Sequence, residues 1–387
     1  MSEFDNAFQN RTVWLSGHTG FKGAWLSIWL LRLGARVVGF SMDVPTQPAL
    51  FVECGLSSHL DHECGDIRDA EAVKRSILRA KPDFVFHLAA QSLVRPSYHA
   101  PVETFATNVM GTTHVLDALR FVDHPCAAVM VASDKCYLNR EWVHGYREDD
   151  ALGGHDPYSA SKGASELAVA SWRASFFPPR HPVAIASARA GNVIGGGDWA
   201  VDRIIPDCVR AREAGRAVEV RNPAAVRPWQ HVLEPLSGYL WLAAAMEQPG
   251  RIGGRGHARD AFNFGPSPDS SRPVGELVGA FAELWPGPVH SHAVPNGPHE
   301  AGLLRLSIDK ARHVLGWSPV WGFESSVGAT VDWYRGRATG DGGSATLFER
   351  TMTQIGRYTA DAERLGAVWT KPRSVLASEP KDRHQHG

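Results

Sequence analysis

The sequence predicts an α/β fold in which a doubly wound parallel sheet carries a smaller C-terminal substrate-binding lobe. Three observations predict it. Short apolar runs alternate with helical stretches through the first half of the chain, which is the signature of βαβ units and of a parallel sheet covered on both faces. A glycine-rich turn, Gly17-His-Thr-Gly-Phe-Lys-Gly23, follows the first apolar run and opens the first helical stretch. Beyond Arg189 the alternation stops, broken by Gly195-Gly-Gly197, Pro206, Pro223 and Pro228.

Taken in order, residues 12–16 read as a strand, 21–33 as a helix and 36–40 as a second strand. Helix 70–79 precedes strand 83–88, and a long helix over 104–120 precedes strand 127–132. Helix 158–176 leads into strand 183–188. The apolar stretch 232–246 reads as a helix that returns to the sheet, followed by a last strand at 261–264. This divides the chain into a Rossmann-like dinucleotide-binding domain over 1–188, with a return at 230–264, and a lobe made of 189–229 and 265–340. Residues 341–387 form a C-terminal extension whose polar end, after Thr370, is expected to be loose.

Composition narrows the function classes. The 387 residues are 43% hydrophobic, enough to fill a core, and Lys plus Arg (40) nearly balance Asp plus Glu (41), giving a net charge of −1. No basic block marks a nucleic-acid footprint. An anionic small substrate therefore has to be met by a few placed cations. The five cysteines, Cys54, Cys64, Cys126, Cys136 and Cys208, include no Cys-x-x-Cys pair, so neither a metal site nor a redox motif is expected. The polar N-terminus and the short apolar run 25–33, interrupted by Ser27 and Arg32, fit neither a signal peptide nor a membrane span. The expectation is a soluble cytoplasmic protein.

The glycine turn suits a dinucleotide. Gly17, Gly20 and Gly23 let the backbone approach a pyrophosphate, and the helix that begins near Thr19, Phe21 and Lys22 offers free N–H donors. The spacing is Gly-x-x-Gly-x-x-Gly, and a ligand-free glycine turn reads similarly. Asp43 lies about 20 residues past the last glycine, where a ribose partner is expected, although a solvated loop acid fits as well. Asp66 is a candidate for the adenine edge, or for a helix cap. No arginine follows Phe40 directly, which favours NAD over NADP. Lys22 either screens phosphate charge or is a solvated helix lysine.

Tyr158-Ser-Ala-Ser-Lys162 places a phenol and an ammonium one turn apart on a helix face. An adjacent cation favours the phenolate, so the pair is expected to take a proton from a sugar hydroxyl as hydride leaves the same carbon. Ser133-Asp134-Lys135 follows an apolar strand about 25 residues upstream, at the end of a strand where open α/β sheets bind ligands. Ordinary turn chemistry is the alternative for Ser133 and Asp134.

Together with Asn108-Val-Met-Gly-Thr112, His87-Leu-Ala-Ala-Gln91, Gly153-Gly-His-Asp-Pro-Tyr-Ser159, Arg189-Ala-Gly-Asn-Val-Ile-Gly-Gly-Gly-Asp-Trp199 and Arg227-Pro-Trp-Gln-His-Val-Leu-Glu-Pro235, these motifs resemble the extended short-chain dehydrogenase/reductase family. Within it they are most similar to the nucleotide-sugar 4,6-dehydratases. The resemblance runs from about Thr12 to Tyr334. It implies NAD as a recycled cofactor, bound with help from Ile67, Leu88, Ala89, Ala90 and Asn108. It implies CDP-glucose as the substrate, oxidation at C4 with Tyr158 as base, loss of water across C5 and C6, and hydride return to C6. Asp134 fits the acid for the departing hydroxyl. Lys135 stands where a thymidine-linked branch has Glu, and serves as base or as a counter-charge to the enolate. Gln91, Asn192, Gly197, Asp198, Arg203 and Arg227 are the substrate candidates, Arg227 foremost for the pyrophosphate, with Arg189 a weaker one. Trp199 and His231 read as structural aromatics. Family members commonly pair through a helix bundle, which implies a homodimer or higher homo-oligomer. A 4-epimerase shares the glycine turn, Ser133, Tyr158 and Lys162 but has no need of Asp134, and a non-catalytic nucleotide-sugar-binding regulator has no need of Tyr158 and Lys162.

Overall fold

The computed structural model describes residues 3–220, 222–252, 257–286, 291–293, 303–339 and 346–372. Seven parallel strands form one sheet: β1 (Thr12–Ser16), β2 (Arg36–Ser41), β3 (Asp61–Cys64), β4 (Phe84–His87), β5 (Cys126–Val131), β6 (Val183–Ala190) and β7 (Ala261–Phe264). They lie side by side in the order β7-β6-β5-β4-β1-β2-β3. The chain winds outward in one direction from β1 and in the other from β4, so the two halves part between these strands. Val13, Trp14 and Leu15 on β1 are fully buried, as a central strand with both faces covered requires.

Helices cover the two faces. On one side lie α1 (Phe21–Arg32) and a later helix labelled α5 (Leu233–Glu247). On the other lie α2 (Ala70–Ala80), α3 (Gly111–Leu119) and α4 (Pro157–Phe176), whose Val73, Ile77, Leu116 and Val169 pack beneath the sheet. The C-terminal extension supplies α6 (Leu347–Arg364), which packs on α1. Trp369 stacks on Phe4 with ring centroids 5.0 Å apart, and Tyr358 meets Trp29 edge-on, so the two chain ends close over α1 together. The tail expected to be loose lies outside the described residues, apart from 371 and 372.

The second lobe is built from short pieces. Helix Ile204–Glu213 and strand Val218–Val220 stand beside the antiparallel pair Val226–Pro228 and Ser271–Pro273 and helix Val274–Leu284. Two details depart from the expected elements. The edge strand β3 reads Asp-His-Glu-Cys, with no apolar run, because it pairs on one side alone and is largely exposed. The long helix expected over 104–120 is divided: a helical turn at Pro101–Phe105, a wider π-type turn at Ala106–Met110, and then α3.

Candidate active site

A cavity of about 1590 Å³ opens at the carboxyl ends of the strands, between the sheet and the lobe. Its wall includes Gly17, Thr19, Gly20, Phe21, Lys22 and Gly23 from the turn after β1, and Asp43, Asp66, Ile67 and Leu88 to Ala90 from the ends of the next strands. Ser133, Asp134 and Lys135 beyond β5 line it with Tyr158 and Lys162 of α4, and Asn192, Asp198, Arg203 and Arg227 face it from the lobe.

The glycine turn has no room for side chains. Gly17 adopts φ +76°, and a Cβ there would stand 2.7 Å from the Ala89 nitrogen. A Cβ on Gly23 would stand 2.1 Å from the Gly17 carbonyl oxygen. The turn is thus pressed against β4 and α1, which leaves its outer rim and the start of α1 facing the cavity. A pyrophosphate fits such a rim, since small residues and unpaired helix N–H groups meet it without a competing side chain. Thr19 donates from Oγ1 to the Asp43 carbonyl at 2.6 Å and ties this turn to the segment after β2.

At the far end of that segment, Asp66 is held by a neighbour two residues on. Arg68 donates from Nη2 to Asp66 Oδ2 at 2.7 Å and lowers the carboxyl pKa. Helix α2 takes its cap from Asp69, whose side chain accepts from the Ala72 nitrogen, so the capping alternative for Asp66 falls away. Arg68 is a residue the sequence reading passed over. Its position two residues after Asp66 signalled only a local pair; the strand pairing of β2 and β3 carries it next to Met42 as well.

The reacting end is assembled from β5 and α4. Asp156 caps α4 through the Ser159 nitrogen, Pro157 opens it, and Tyr158 and Lys162 follow one turn apart, both nearly buried. Burial raises the Tyr158 phenol to about 12, against a hydrogen bond with the Ser133 side chain that lowers it. Burial also brings the Lys162 ammonium down to about 8. Burial outweighs what lowers the phenol, the Ser133 hydrogen bond and the Arg203 charge, and Lys162 is not among the groups that shift it. Asp134 is 3% exposed. Ser133 Oγ donates to its Oδ1 at 3.0 Å, and its Oδ2 lies over Gly191, where a Cβ would stand 2.9 Å away. Lys135 is half-buried on the same wall.

Lys22 reaches this end of the cavity. Its ammonium stands 5.8 Å from the ring centroid of Tyr239, and burial, with Arg203 and Lys162 nearby, lowers its pKa to about 8 against the opposing pull of Asp134. It is not a solvated helix lysine.

Three of the predicted ligand residues do not line the cavity. Asn108 receives the Gln91 nitrogen on Oδ1 at 2.8 Å and donates to the Gln91 carbonyl and to Ser161 Oγ, so it pins the loop after β4 to α4. Gln91 turns its own amide onto Leu93 and Thr104. Gly197, at φ +79°, is packed against Leu50. All three shape the wall from behind. Arg189 is likewise spent, in a buried ion pair of 2.6 Å with Glu166. Asp198 is held by Arg203 at 2.9 Å, and both residues line the cavity. Arg227 donates to the Val226 carbonyl at 3.0 Å. Trp199 meets Tyr334 edge-on, and His231 sits fully buried between Trp25 and Trp321, as structural aromatics do.

Comparison with known proteins agrees with this architecture. A family model described as GDP-mannose 4,6 dehydratase matches residues 15–330. The chain is 48% identical over 342 residues to a CDP-glucose 4,6-dehydratase of Salmonella typhimurium, covering 87% of this chain and 94% of that protein. It is 28% identical over 349 residues to a dTDP-glucose 4,6-dehydratase of Xanthomonas campestris, covering 83% and 93%. Among solved structures, the Thermus thermophilus UDP-glucose 4-epimerase in complex with NAD superposes with a TM-score of 0.70 at 22% identity, covering 84% of this chain and 99% of that one, which is a likeness of fold. The sheet order, the glycine turn and the paired Tyr158 and Lys162, together with these matches, place the chain in the GDP-mannose 4,6-dehydratase family of the extended short-chain dehydrogenases/reductases.

Proposed function

We propose that the chain dehydrates CDP-glucose to CDP-4-keto-6-deoxyglucose, with NAD as a cofactor restored in each turnover. The observation that carries this reading is Asp134, a buried carboxyl group bonded to Ser133 and set beside Tyr158 in the same cavity wall. Moving a hydroxyl at C4 from one face to the other has no use for such an acid; expelling the C6 hydroxyl does. The 48% identity to a CDP-glucose 4,6-dehydratase supports cytidine as the base.

The turn from Gly17 to Gly23, Asp43, Ile67 and Leu88 to Ala90 hold the cofactor, and Asn108 acts on it only by fixing the loop. When bound, NAD supplies a hydride acceptor at C4 and a donor at C6. Tyr158 receives the O4 proton, with Lys162 offsetting the charge of its phenolate form. Lys135 serves C5, as base or as counter-charge to the enolate. Asp134 passes a proton to the departing O6. Arg203 and Arg227 meet the pyrophosphate from the lobe, and Asn192 bonds phosphate or sugar. We place this lobe, 189–229 with 265–340, as the nucleotide-sugar-binding unit.

The protein is further proposed to be cytoplasmic and at least dimeric. Among the described residues no helix is long and apolar enough to cross a membrane. Val102, Phe105 and Met110, from the segment leading into α3, and Leu167 of α4 are exposed, which suits pairing of these helices between two subunits. Light scattering at micromolar concentration reads the assembly directly, and a monomeric mass refutes it.

The activity is tested by incubating the protein with CDP-, dTDP-, UDP- and GDP-glucose and scoring the 4-keto-6-deoxy product. Turnover of CDP-glucose above the others is expected. A galactose-configured product with no loss of water selects the epimerase instead, and no turnover of any of the four selects a binding protein.

A further inference from the structure

The groups assigned to the chemistry sit on two separate pieces of chain. Asp134 and Lys135 lie on the helical turn Asp134–Cys136 after β5, and Tyr158 and Lys162 lie on α4. A loop over 137–156 joins them. The two pieces approach as closely as a glycine permits. A Cβ on Gly163, the residue after Lys162, would stand 3.2 Å from the Cys136 carbonyl oxygen. Such contact fixes how near the turn and the helix lie, but it resists sliding only weakly, because van der Waals attraction has little direction.

Directional bonds run behind both pieces, through Arg189 at the end of β6. Its Nη2 donates to Glu166 Oε2 at 2.6 Å, and Glu166 stands one turn beyond Lys162 on α4. Its Nη1 donates to the Tyr137 hydroxyl at 2.8 Å and to the Glu148 carbonyl at 2.9 Å. Tyr137 is the residue that closes the Asp134–Cys136 turn. Its hydroxyl donates in turn to Asn263 Oδ1 on β7 at 2.8 Å. Ser187 of β6 donates to the same Glu166 oxygen at 2.9 Å. One planar guanidinium therefore ties the turn, the helix and the loop between them to the sheet, with its donors in a fixed fork. Arg189, Glu166 and Tyr137 are all buried.

Stability is a poor reason for this arrangement. A buried ion pair gives up the hydration of both charges, and apolar residues of like volume often serve a fold as well or better. Arg189 Nε and Glu166 Oε1, both buried, also have no partner among the described residues. What the pair supplies is direction.

We propose that Arg189 is a positioning residue that holds the two catalytic pieces in register. It acts through Tyr137 on the turn that carries Asp134 and Lys135, and through Glu166 on the helix that carries Tyr158 and Lys162. Arg189 does not itself line the cavity. The proposal rests on the dehydratase reading, with Asp134 as its acid. It has an asymmetric consequence: cutting the Tyr137 arm frees the turn and leaves the helix held.

The test compares the parent with Tyr137→Phe, Arg189→Lys and the double variant. Single-turnover absorbance of reduced nicotinamide reads the C4 oxidation, and the 4-keto-6-deoxy product reads elimination. Tyr137→Phe keeps the ring beside the guanidinium, now 5.0 Å from its centroid, and loses the hydroxyl alone. Elimination is expected to slow roughly tenfold, since a shift of about 1 Å in a reacting group costs up to about a hundredfold. Oxidation should keep the parent rate, so reduced nicotinamide builds up. Arg189→Lys keeps a charge for Glu166 but has no fork, and should do the same. Because Arg189 acts on the turn through Tyr137, the double variant should lose no more in elimination than Arg189→Lys. A merely structural role lowers the melting temperature and slows both steps alike. Equal slowing of the two steps by Tyr137→Phe, no slowing of either, or additive losses in the double variant overturns the proposal. If Arg189→Lys does not fold, Tyr137→Phe decides alone. The substrate is whichever nucleotide-linked glucose the parent dehydrates, so failure of the cytidine assignment leaves the test intact. A parent without dehydratase activity removes the dehydratase reading and this role with it; a parent that dehydrates, with no build-up in Tyr137→Phe, removes the positioning role alone.

Discussion

Arg68 forks onto Asp66, Nη2 to Oδ2 at 2.7 Å and Nε to Oδ1 at 3.0 Å, while its other terminal nitrogen reaches Glu103 at 3.2 Å. The same guanidinium lies 3.6 Å from the Met42 sulfur, beside the Asp43 segment where a ribose partner is expected. An arginine therefore does stand near the end of β2, though no arginine follows Phe40 in the chain, and two carboxylates hold it.

Releasing that arginine is expected to relax cofactor choice. The parent should bind NAD more tightly than NADP. Asp66→Asn removes one of the two restraints on Arg68 and should narrow the NAD to NADP ratio roughly fivefold, the worth of about 1 kcal/mol for a partly exposed ion pair. Calorimetric titration of both dinucleotides checks it; an unchanged ratio shows that Arg68 does not reach the ribose.

The glycines of the turn should not respond alike. Gly23→Ala forces a Cβ to 2.1 Å from the Gly17 carbonyl, so the turn must open, and dinucleotide affinity and thermal stability should fall together. Gly20→Ala places a Cβ no nearer than 3.4 Å to that oxygen and should be borne with a small loss. Melting curves with and without NAD distinguish the two; equal damage at both positions contradicts the packing.

Asp134→Asn and Tyr158→Phe should stop the reaction at different places. Without the acid, departure of the C6 hydroxyl loses roughly 10²–10⁴-fold in rate, while the C4 oxidation continues, so reduced nicotinamide accumulates on the protein with CDP-glucose. Tyr158→Phe should fail before any such signal. Single-turnover absorbance follows both. Full dehydration by Asp134→Asn, or its failure already at oxidation, removes Asp134 from the acid's role.

Stability should fall with rising pH because of Glu234. This carboxyl is buried at the start of α5, where it accepts the Val320 and Trp321 nitrogens and the Tyr358 hydroxyl, and burial raises its pKa to about 7. A folded pKa above the unfolded one means the folded state binds more protons. The stabilisation is complete below the ordinary value of 4.5 and is lost as pH rises through about 7. Glu234→Gln should flatten the slope of melting temperature between these limits; an unchanged slope assigns it to another group.

Much of the sheet is legible in the chain because strands buried on both faces are written as continuous apolar runs. Strand β7 falls at 261–264 as expected, and β1 and β2 start where the runs start. Strand β3 was not legible: an exposed edge strand needs no apolar residues, and its ladder to β2 leaves no trace in Asp61–Cys64. The break at Ala106–Met110 was hidden as well, since a π-type turn keeps the helical spacing on either side.

Sequence alone determined the glycine turn, the pairing of Tyr158 with Lys162 and the place of Ser133-Asp134-Lys135, because each is a local pattern whose chemistry depends on neighbours a few residues away. Tertiary structure alone decided which polar residues face the cavity. Asn108 and Gln91 sit within motifs of the family, yet the Asn108 side chain closes on the Gln91 backbone across 17 positions while the Gln91 amide turns to Leu93 and Thr104, and an amide with its bonds made has none left for a ligand. Lys22 reads along the helix either as a phosphate-screening cation or as a solvated lysine. It becomes a half-buried cation on the cavity wall because α5, more than 200 residues away, brings Tyr239 beneath it and the turn after β5 brings Asp134 near it. Burial and long-range pairing are properties of the packed chain, and they set both the charge and the availability of each group.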